Sequence, residues 1–242
     1  MTFVSRIMMP LSVAVWCMAI RLTADVAVIN NGVAGADIIT GYNHSSEAYK
    51  AALVLQHCLL VSYGANLPVL DSGGSNPVKI YIGDNRGLAL GTDQMDKSGF
   101  VINCPNNSTI IIIGPTDMGT AFGVYEFIER YVGVRWLMPG DDWEYIPSRT
   151  GASLTVPTTE VRLEPVFSAR LLSGFPNSTQ STWACRNRMY NDSIVFSHNL
   201  YTLYKPSIYA DWGSNPHPDF FPRNQSGVRY VPTSDSDHSW QP

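Results

Sequence analysis

Charge is scarce in this chain. Of its 242 residues only 15% are Asp, Glu, Lys or Arg, and the formal net charge is −4. No basic stripe is available to neutralise phosphates, so neither nucleic acid nor an anionic membrane surface is an expected partner. Cysteine is equally thin. Cys17 falls within an amino-terminal apolar run, and Cys58, Cys104 and Cys185 form an odd set with no metal-ligand spacing, so no metal site is expected. The chain also lacks a His-Glu-x-x-His zinc signature, a P-loop and a Gly-x-Ser-x-Gly elbow. Gly83-Asp-Asn-Arg-Gly87 is too weak a match to a phosphate cradle to imply a cofactor. Internal repeats are absent.

A membrane-spanning run is missing too. The apolar stretch from Ile7 to Ile20 carries Pro10, ends at Arg21 and is shorter than the roughly 20 residues a span requires. Arg6 precedes it and Leu22-Thr-Ala24 follows as a small-residue cleavage site, the pattern of a secretory signal peptide over residues 1–24. The mature chain is therefore expected to be secreted or periplasmic, with no membrane association after cleavage. Acceptor sequons at Asn43, Asn106, Asn107, Asn177, Asn191 and Asn224 fit an exported protein of a eukaryotic host and carry no meaning in a bacterial one.

What is present is an ordinary globular composition, 45% hydrophobic and 11% aromatic, enough for one large or two small packed domains. Val26-Ala-Val-Ile29 reads as a short strand, and Asn30 to Asn43 as turn-rich. Ser45-Ser46-Glu47 starts a helix whose buried face is Ala48, Ala51, Ala52, Leu55, Cys58 and Leu59 and whose stop is Gly64. Further strands are expected at Leu67 to Leu70, Val78 to Gly83 and Phe100 to Asn103. Thr109 to Gly114 adds another, and its four consecutive isoleucines indicate burial on both faces. From Gly114 to Gly140 the sequence runs through a turn, an amphipathic helix and a glycine stop into a new strand. Met118, Ala121, Phe122, Tyr125, Ile128 and Val132 share one face, Thr120, Glu126, Glu129 and Arg130 the other, and Gly133 ends the helix. Residues 151–165, within a proline- and threonine-rich stretch, read as a linker with one strand at Leu154-Thr-Val156. Beyond it, Val166 to Leu172 reads as a strand, Thr182 to Tyr190 as a short helix or ordered loop and Ile194 to Leu203 as another strand-like run.

The segment from Gly119-Thr-Ala-Phe-Gly-Val-Tyr-Glu-Phe-Ile-Glu-Arg-Tyr-Val-Gly133 through Trp136-Leu-Met-Pro-Gly140 resembles the last helix and strand of the amino-terminal domain of α-glucuronidases, a relative of the second domain of β-hexosaminidases. The resemblance continues through Phe167-Ser-Ala-Arg170, Trp183-Ala-Cys-Arg-Asn-Arg188, His198-Asn-Leu-Tyr, His217-Pro-Asp-Phe-Phe221 and Trp240-Gln-Pro242, with Asp219-Phe220 where an acidic-aromatic pair is usually Glu-Tyr. It implies an α/β fold in two parts: a small mixed-sheet domain with helices packed on the sheet over residues 25–150, then the first units of an incomplete (β/α)8 barrel over 166–242. It also implies the amino-terminal part of an exported glycoside-hydrolase-like protein acting on or binding carbohydrate, the chain stopping soon after the barrel begins.

Barrel ligand sites gather at the carboxyl ends of strands, where an arginine fork suits paired hydroxyls or a uronate carboxylate. Arg170 is thus the first candidate for substrate binding, against a structural role bridging two domains. His198 is a candidate hydrogen-bond partner of a hydroxyl, or a satisfied structural histidine. Trp183 is a candidate sugar platform or a packing residue. Catalytic residues stay unassigned, since glycoside hydrolysis takes two carboxyl groups roughly 5–9 Å apart. Asp141, Asp142 and Glu144, set between Gly140 and Pro147, read as a solvated turn, and Asp235, Asp237 and His238 sit in a serine-rich tail. A carbohydrate-binding or structural module without enzymatic activity is the alternative, and a hydrolase using a serine or Cys185 as nucleophile a third reading without a paired histidine motif.

Overall fold

The computed structural model describes residues 25–167, 169–170, 177–189 and 226–227. In chain order its elements are β1 (Val26–Asn30), β2 (Val33–Ala34), β3 (Ala36–Thr40), α1 (Glu47–Tyr63), β4 (Val69–Leu70), β5 (Val78–Ile82), β6 (Phe100–Asn106) and β7 (Thr109–Ile113). They continue as α2 (Asp117–Phe127), β8 (Arg135–Trp136), β9 (Glu144–Tyr145), β10 (Leu154–Val156), β11 (Glu160–Leu163) and α3 (Ser178–Arg186). The fold is mixed α/β. A six-stranded sheet runs β11-β6-β7-β5-β3-β4, with β4, β3, β5 and β7 parallel and β6 and β11 antiparallel to their neighbours. A second sheet has the order β10-β1-β2, and β8 pairs with β9. Helices α1 and α2 lie side by side against the large sheet.

Local chemistry explains the helices. Ser46 caps α1 by accepting from the Tyr49 amide, Gly64 ends it in the left-handed region at φ 76°, and Ala48, Ala51, Ala52, Leu55, Cys58 and Leu59 are all buried as the spacing predicts. Thr116 caps α2 by accepting from Gly119, and the helix widens into a π turn over Ile128–Val132 before Gly133 closes it at φ 85°. The first residue of α2 also serves α1. Both oxygens of Asp117 accept backbone amides of the first turn of α1, Glu47 and Ala48, each at 2.8 Å, which places a negative charge against the positive end of that helix. Ile110, Ile111 and Ile112 of β7 are fully buried, sandwiched as their run implies.

The structure departs from the sequence reading at several points of the fold. The stretch expected to be turn-rich holds β3, a fully buried strand that includes Asp37. Asp37 is tolerated there because Lys79 donates to it at 2.5 Å and Asn76 donates from its backbone amide at 3.0 Å and its side chain at 2.7 Å. Thr120, assigned to the polar face of α2, is buried and hydrogen-bonded to the Gly114 amide and the Thr116 carbonyl, because α2 meets the sheet on one side and α1 on another. Residues 151–165 are not a linker: β10 pairs with β1 and β11 with β6, both antiparallel, so this stretch completes the two sheets. Finally, Val166, Phe167 and Arg170 belong to no strand.

The chain divides into two units, Met1–Pro165 with Pro176–Arg188, and Val166–Phe175 with Met189–Pro242. All the elements above lie in the first. In the second, described only at isolated positions, the Arg170 guanidinium donates to the Phe167 carbonyl at 2.6 Å. The expected signal peptide, the remaining barrel strands and His198 lie outside the described residues. Among the described residues no helix is long and apolar enough to cross a membrane.

Candidate functional site

The turn after β8 and the helix α3 enclose an open cleft of about 180 Å³. Trp136, Met138, Gly140 and Asp141 line one side, and Ser178, Thr179, Thr182, Trp183 and Arg186 line the other, the second set being one face of α3 at i, i+4, i+8 spacing. Three hydroxyls, one carboxylate and one guanidinium thus surround the apolar surfaces of Trp183 and Met138. Such a lining can hydrogen-bond a polyol while covering its apolar face. Among the described lining residues Asp141 is the one carboxylate, whereas glycosidic cleavage takes two.

Hydrogen bonds and ion pairs hold α3 on its side of the cleft. The indole N–H of Trp183 and the side-chain amide of Asn187 both donate to the Trp136 carbonyl, at 3.0 and 3.2 Å. Trp136 in turn donates its indole N–H to Glu144 at 2.6 Å, and Arg186 reaches the same carboxylate oxygen at 3.5 Å while lying 5.7 Å above the Trp136 ring. Arg188 pairs with Glu129 and stands 3.7 Å from Glu126, which also binds Arg130 at 2.6 Å. The glutamates assigned to a solvent-facing helix surface are therefore half-buried partners of the segment that follows α3. Glu144, read as part of a solvated turn, is the hub of the clamp, whereas Asp141 and Asp142 are exposed as that reading holds. No local signal marks the contacts of Trp183, Arg186, Asn187 and Arg188, since each joins residues more than forty positions apart.

Cys185 sits inside the same packing, its sulfur 3.6 Å from that of Met118, and burial pushes its thiol up to about 11. A thiol so placed is a poor nucleophile at neutral pH, which removes the support for a cysteine hydrolase.

A second cleft, of about 340 Å³, opens at the carboxyl ends of the parallel strands β3 and β5, lined by Ile39, Gly41, Tyr42, Asp71, Ile82, Gly83 and Asp84. The Tyr42 ring lies so close over Gly83 that a Cβ there would sit 2.1 Å from it. Asp84 is held below the usual carboxylate range by the Arg86 backbone amide, and further by the Arg86 side chain at 3.1 Å, against the opposing effect of burial. A carboxyl held ionised in this way is the opposite of a general acid.

Of the residues singled out in the sequence, the structure puts Trp183 in the first cleft and Arg170 in the other unit, and His198 lies outside the described residues. Trp136, Asp141, Thr182 and Arg186 join Trp183 there without having been singled out as ligand contacts. Among the described residues no group of three or more His, Cys, Asp or Glu side chains is arranged to hold a metal ion.

No protein-family model and no curated protein matches the chain. Solved structures do. A GH20 β-N-acetylhexosaminidase from Streptomyces coelicolor A3(2) is 16% identical over 61% of this chain and 25% of its own, with a TM-score of 0.40. A family GH115 4-O-methyl-α-glucuronidase with specificity for decorated arabinogalactans is 18% identical over 60% and 19%, with a TM-score of 0.39. A chitobiase from Flavobacterium johnsoniae is 13% identical over 62% and 20%, with a TM-score of 0.35. The chain spans a quarter or less of the length of each of these structures.

Proposed function

We propose that the chain supplies the amino-terminal part of an exported glycoside-hydrolase-like protein and that this part binds carbohydrate without cleaving it. The observation that carries the reading is the cleft at α3, where Trp183 and Met138 offer apolar surface beside Ser178, Thr179, Thr182, Asp141 and Arg186. The sequence resemblance to the α-glucuronidase and β-hexosaminidase amino-terminal domain adds to it. In this reading Asp141 accepts from sugar hydroxyls, and the hydroxyls of Ser178, Thr179 and Thr182 bond to them. Arg170 and His198 stay further candidates for contact with the sugar in this reading.

Calorimetric titration of residues 25–242 with a panel of neutral, N-acetylated and uronic-acid oligosaccharides tests the proposal. Binding of at least one class is expected, and Asp141→Asn should weaken it about tenfold, the scale of one charge-assisted hydrogen bond, with the melting temperature unchanged because Asp141 is exposed. Absence of binding across the panel at millimolar concentration rejects the reading. Turnover of aryl glucuronides or N-acetylhexosaminides by the same protein rejects the non-catalytic half of it.

A purely structural role is the second reading. It is favoured by the use of the Trp183 N–H, Asn187 and both arginines in clamping α3. It predicts that Trp183→Ala loses stability while no sugar binds to either form.

A further inference from the structure

Four of the six acceptor sequons fall within the described residues, at Asn43, Asn106, Asn107 and Asn177, and all four asparagines are exposed. Their geometry divides them. The Asn43 carboxamide oxygen accepts from both the backbone amide and the hydroxyl of Ser45, each at 2.9 Å. Asn106 repeats the arrangement with Ser108, again at 2.9 Å for both bonds. In each case the hydroxyl two residues on, which the acceptor motif requires, is already seated on the carboxamide of its own asparagine. Neither Nδ2 donates a hydrogen bond among the described residues. Asn177 differs: its oxygen caps α3 by accepting from the Gln180 amide, and Thr179 faces the cleft. Asn107 makes no bond to Thr109, which is committed to β7.

We propose that Asn43 and Asn106 are N-glycosylation sites, and that Asn107 and Asn177 are not. The donor class is a polyisoprenyl-diphosphate-linked oligosaccharide. Nδ2 attacks the anomeric carbon and an N–C bond forms. The bond from that carbon to the diphosphate oxygen breaks, the diphosphate carries away the electron pair, and the Nδ2 proton passes to a base of the transferase. No oxidation or reduction occurs. Two hydrogen bonds accepted at the carboxamide oxygen draw electron density from the amide and acidify Nδ2–H, which favours loss of that proton. Both sites are sterically open: Asn106 stands at the exposed β6–β7 hairpin turn and Asn43 in the exposed loop before α1, so a bulky glycan displaces no packed side chain.

The proposal rests on the export reading, and the experiment separates the two. Residues 1–242 are expressed in a secretory eukaryotic cell in two versions, one with its own first 24 residues and one with an established secretion leader in their place. Site occupancy is read by peptide mass spectrometry on protein recovered from the secretory compartments or medium, after enzymatic glycan release in heavy-oxygen water. Occupied Asn43 and Asn106 with unmodified Asn107 and Asn177 are expected. Ser108→Ala should abolish the hairpin glycan, whereas Thr109→Val, which removes the Asn107 sequon and keeps a β-branched residue in the strand, should leave it. Modification in the leader-swapped version alone supports the sites while refuting export by the native leader. An unmodified Asn106 in translocated protein, or a hairpin glycan that survives Ser108→Ala and disappears in Thr109→Val, overturns the proposal.

Discussion

The buried Asp37–Lys79 pair offers the sharpest test of how this sequence tolerates a charge within its sheet. Asp37 has no solvent exposure and the Lys79 side chain retains 20%. Asp37→Asn preserves shape and removes charge, leaving the Lys79 ammonium with neutral acceptors alone, the Asn76 carbonyl at 2.5 Å and the new carboxamide oxygen. Breaking a buried pair by removing one partner costs about 3–5 kcal/mol. Residual exposure of Lys79 and its bond to Asn76 place the cost here at the low end, about 3 kcal/mol, or roughly 6–12 °C in melting temperature for a domain of this size. Asp37→Leu with Lys79→Met should recover most of the loss, since two apolar groups leave no orphaned charge.

The pH dependence follows in sign. Burial alone would raise the Asp37 pKa, but the hydrogen bonds from Lys79 and Asn76 outweigh it and hold the carboxyl below its ordinary value. The stabilisation is therefore fully present above the unfolded pKa of about 3.9 and is lost as pH falls through the lower folded value. Urea unfolding at neutral pH and at about pH 3 checks both points, with the wild type losing a contribution that Asp37→Asn never had. If Asp37→Asn unfolds within 1 kcal/mol of wild type at neutral pH, or if the double variant is no more stable than the single one, the pair does not hold β3 in place.

Removing the shared cap at Asp117 should uncouple the two helices: Asp117→Ala is expected to cost about 1–2 kcal/mol in chemical denaturation, and Asp117→Asn less, because one carboxamide oxygen still accepts. A fragment of residues 25–149 should unfold less cooperatively and at lower temperature than residues 25–189, because it lacks β10, β11 and α3 and leaves β1 and β6 as raw edges. Equal melting curves by circular dichroism would show that these strands are accessory. Trp183→Phe keeps an aromatic face in the cleft and loses the N–H bond to Trp136, so it should lower stability by about 1 kcal/mol and leave oligosaccharide affinity within about twofold. A large affinity loss at unchanged stability would assign the indole N–H to the ligand instead.

The features legible in the sequence are those decided within a turn or two of chain. Ser46 and Gly64 bracket α1 by short-range hydrogen bonding and backbone preference, the Ala48-to-Leu59 face follows from 3.6-residue geometry, and Gly133 closes the second helix for the same reason as Gly64. Strand β7 announces itself by four isoleucines. Strand β3 does not, because its Asp37 and the flanking glycines read as a turn until Asn76 and Lys79 arrive from some forty residues away. The same limit hides β10 and β11. Prolines and threonines mark a linker locally, and only pairing with β1 and β6 shows them to be sheet.

At the cleft the ambiguity is finer, because arginine and tryptophan suit both a sugar site and a structural clamp. A bidentate guanidinium fits paired hydroxyls and carboxylates alike, and an indole combines an apolar face with one donor. In the segment Trp183 to Arg188 the structure divides these capacities atom by atom. The donors are committed inward: the Trp183 N–H and the Asn187 amide to the Trp136 carbonyl, Arg186 to Glu144, and Arg188 to Glu129. The indole of Trp183 and the hydroxyls of Thr182, Thr179 and Ser178 remain along the cleft. A motif of this composition therefore carries no single role. Its polar atoms fix the helix against the sheet domain, and that fixing sets the spacing at which its ring and hydroxyls can meet a ligand.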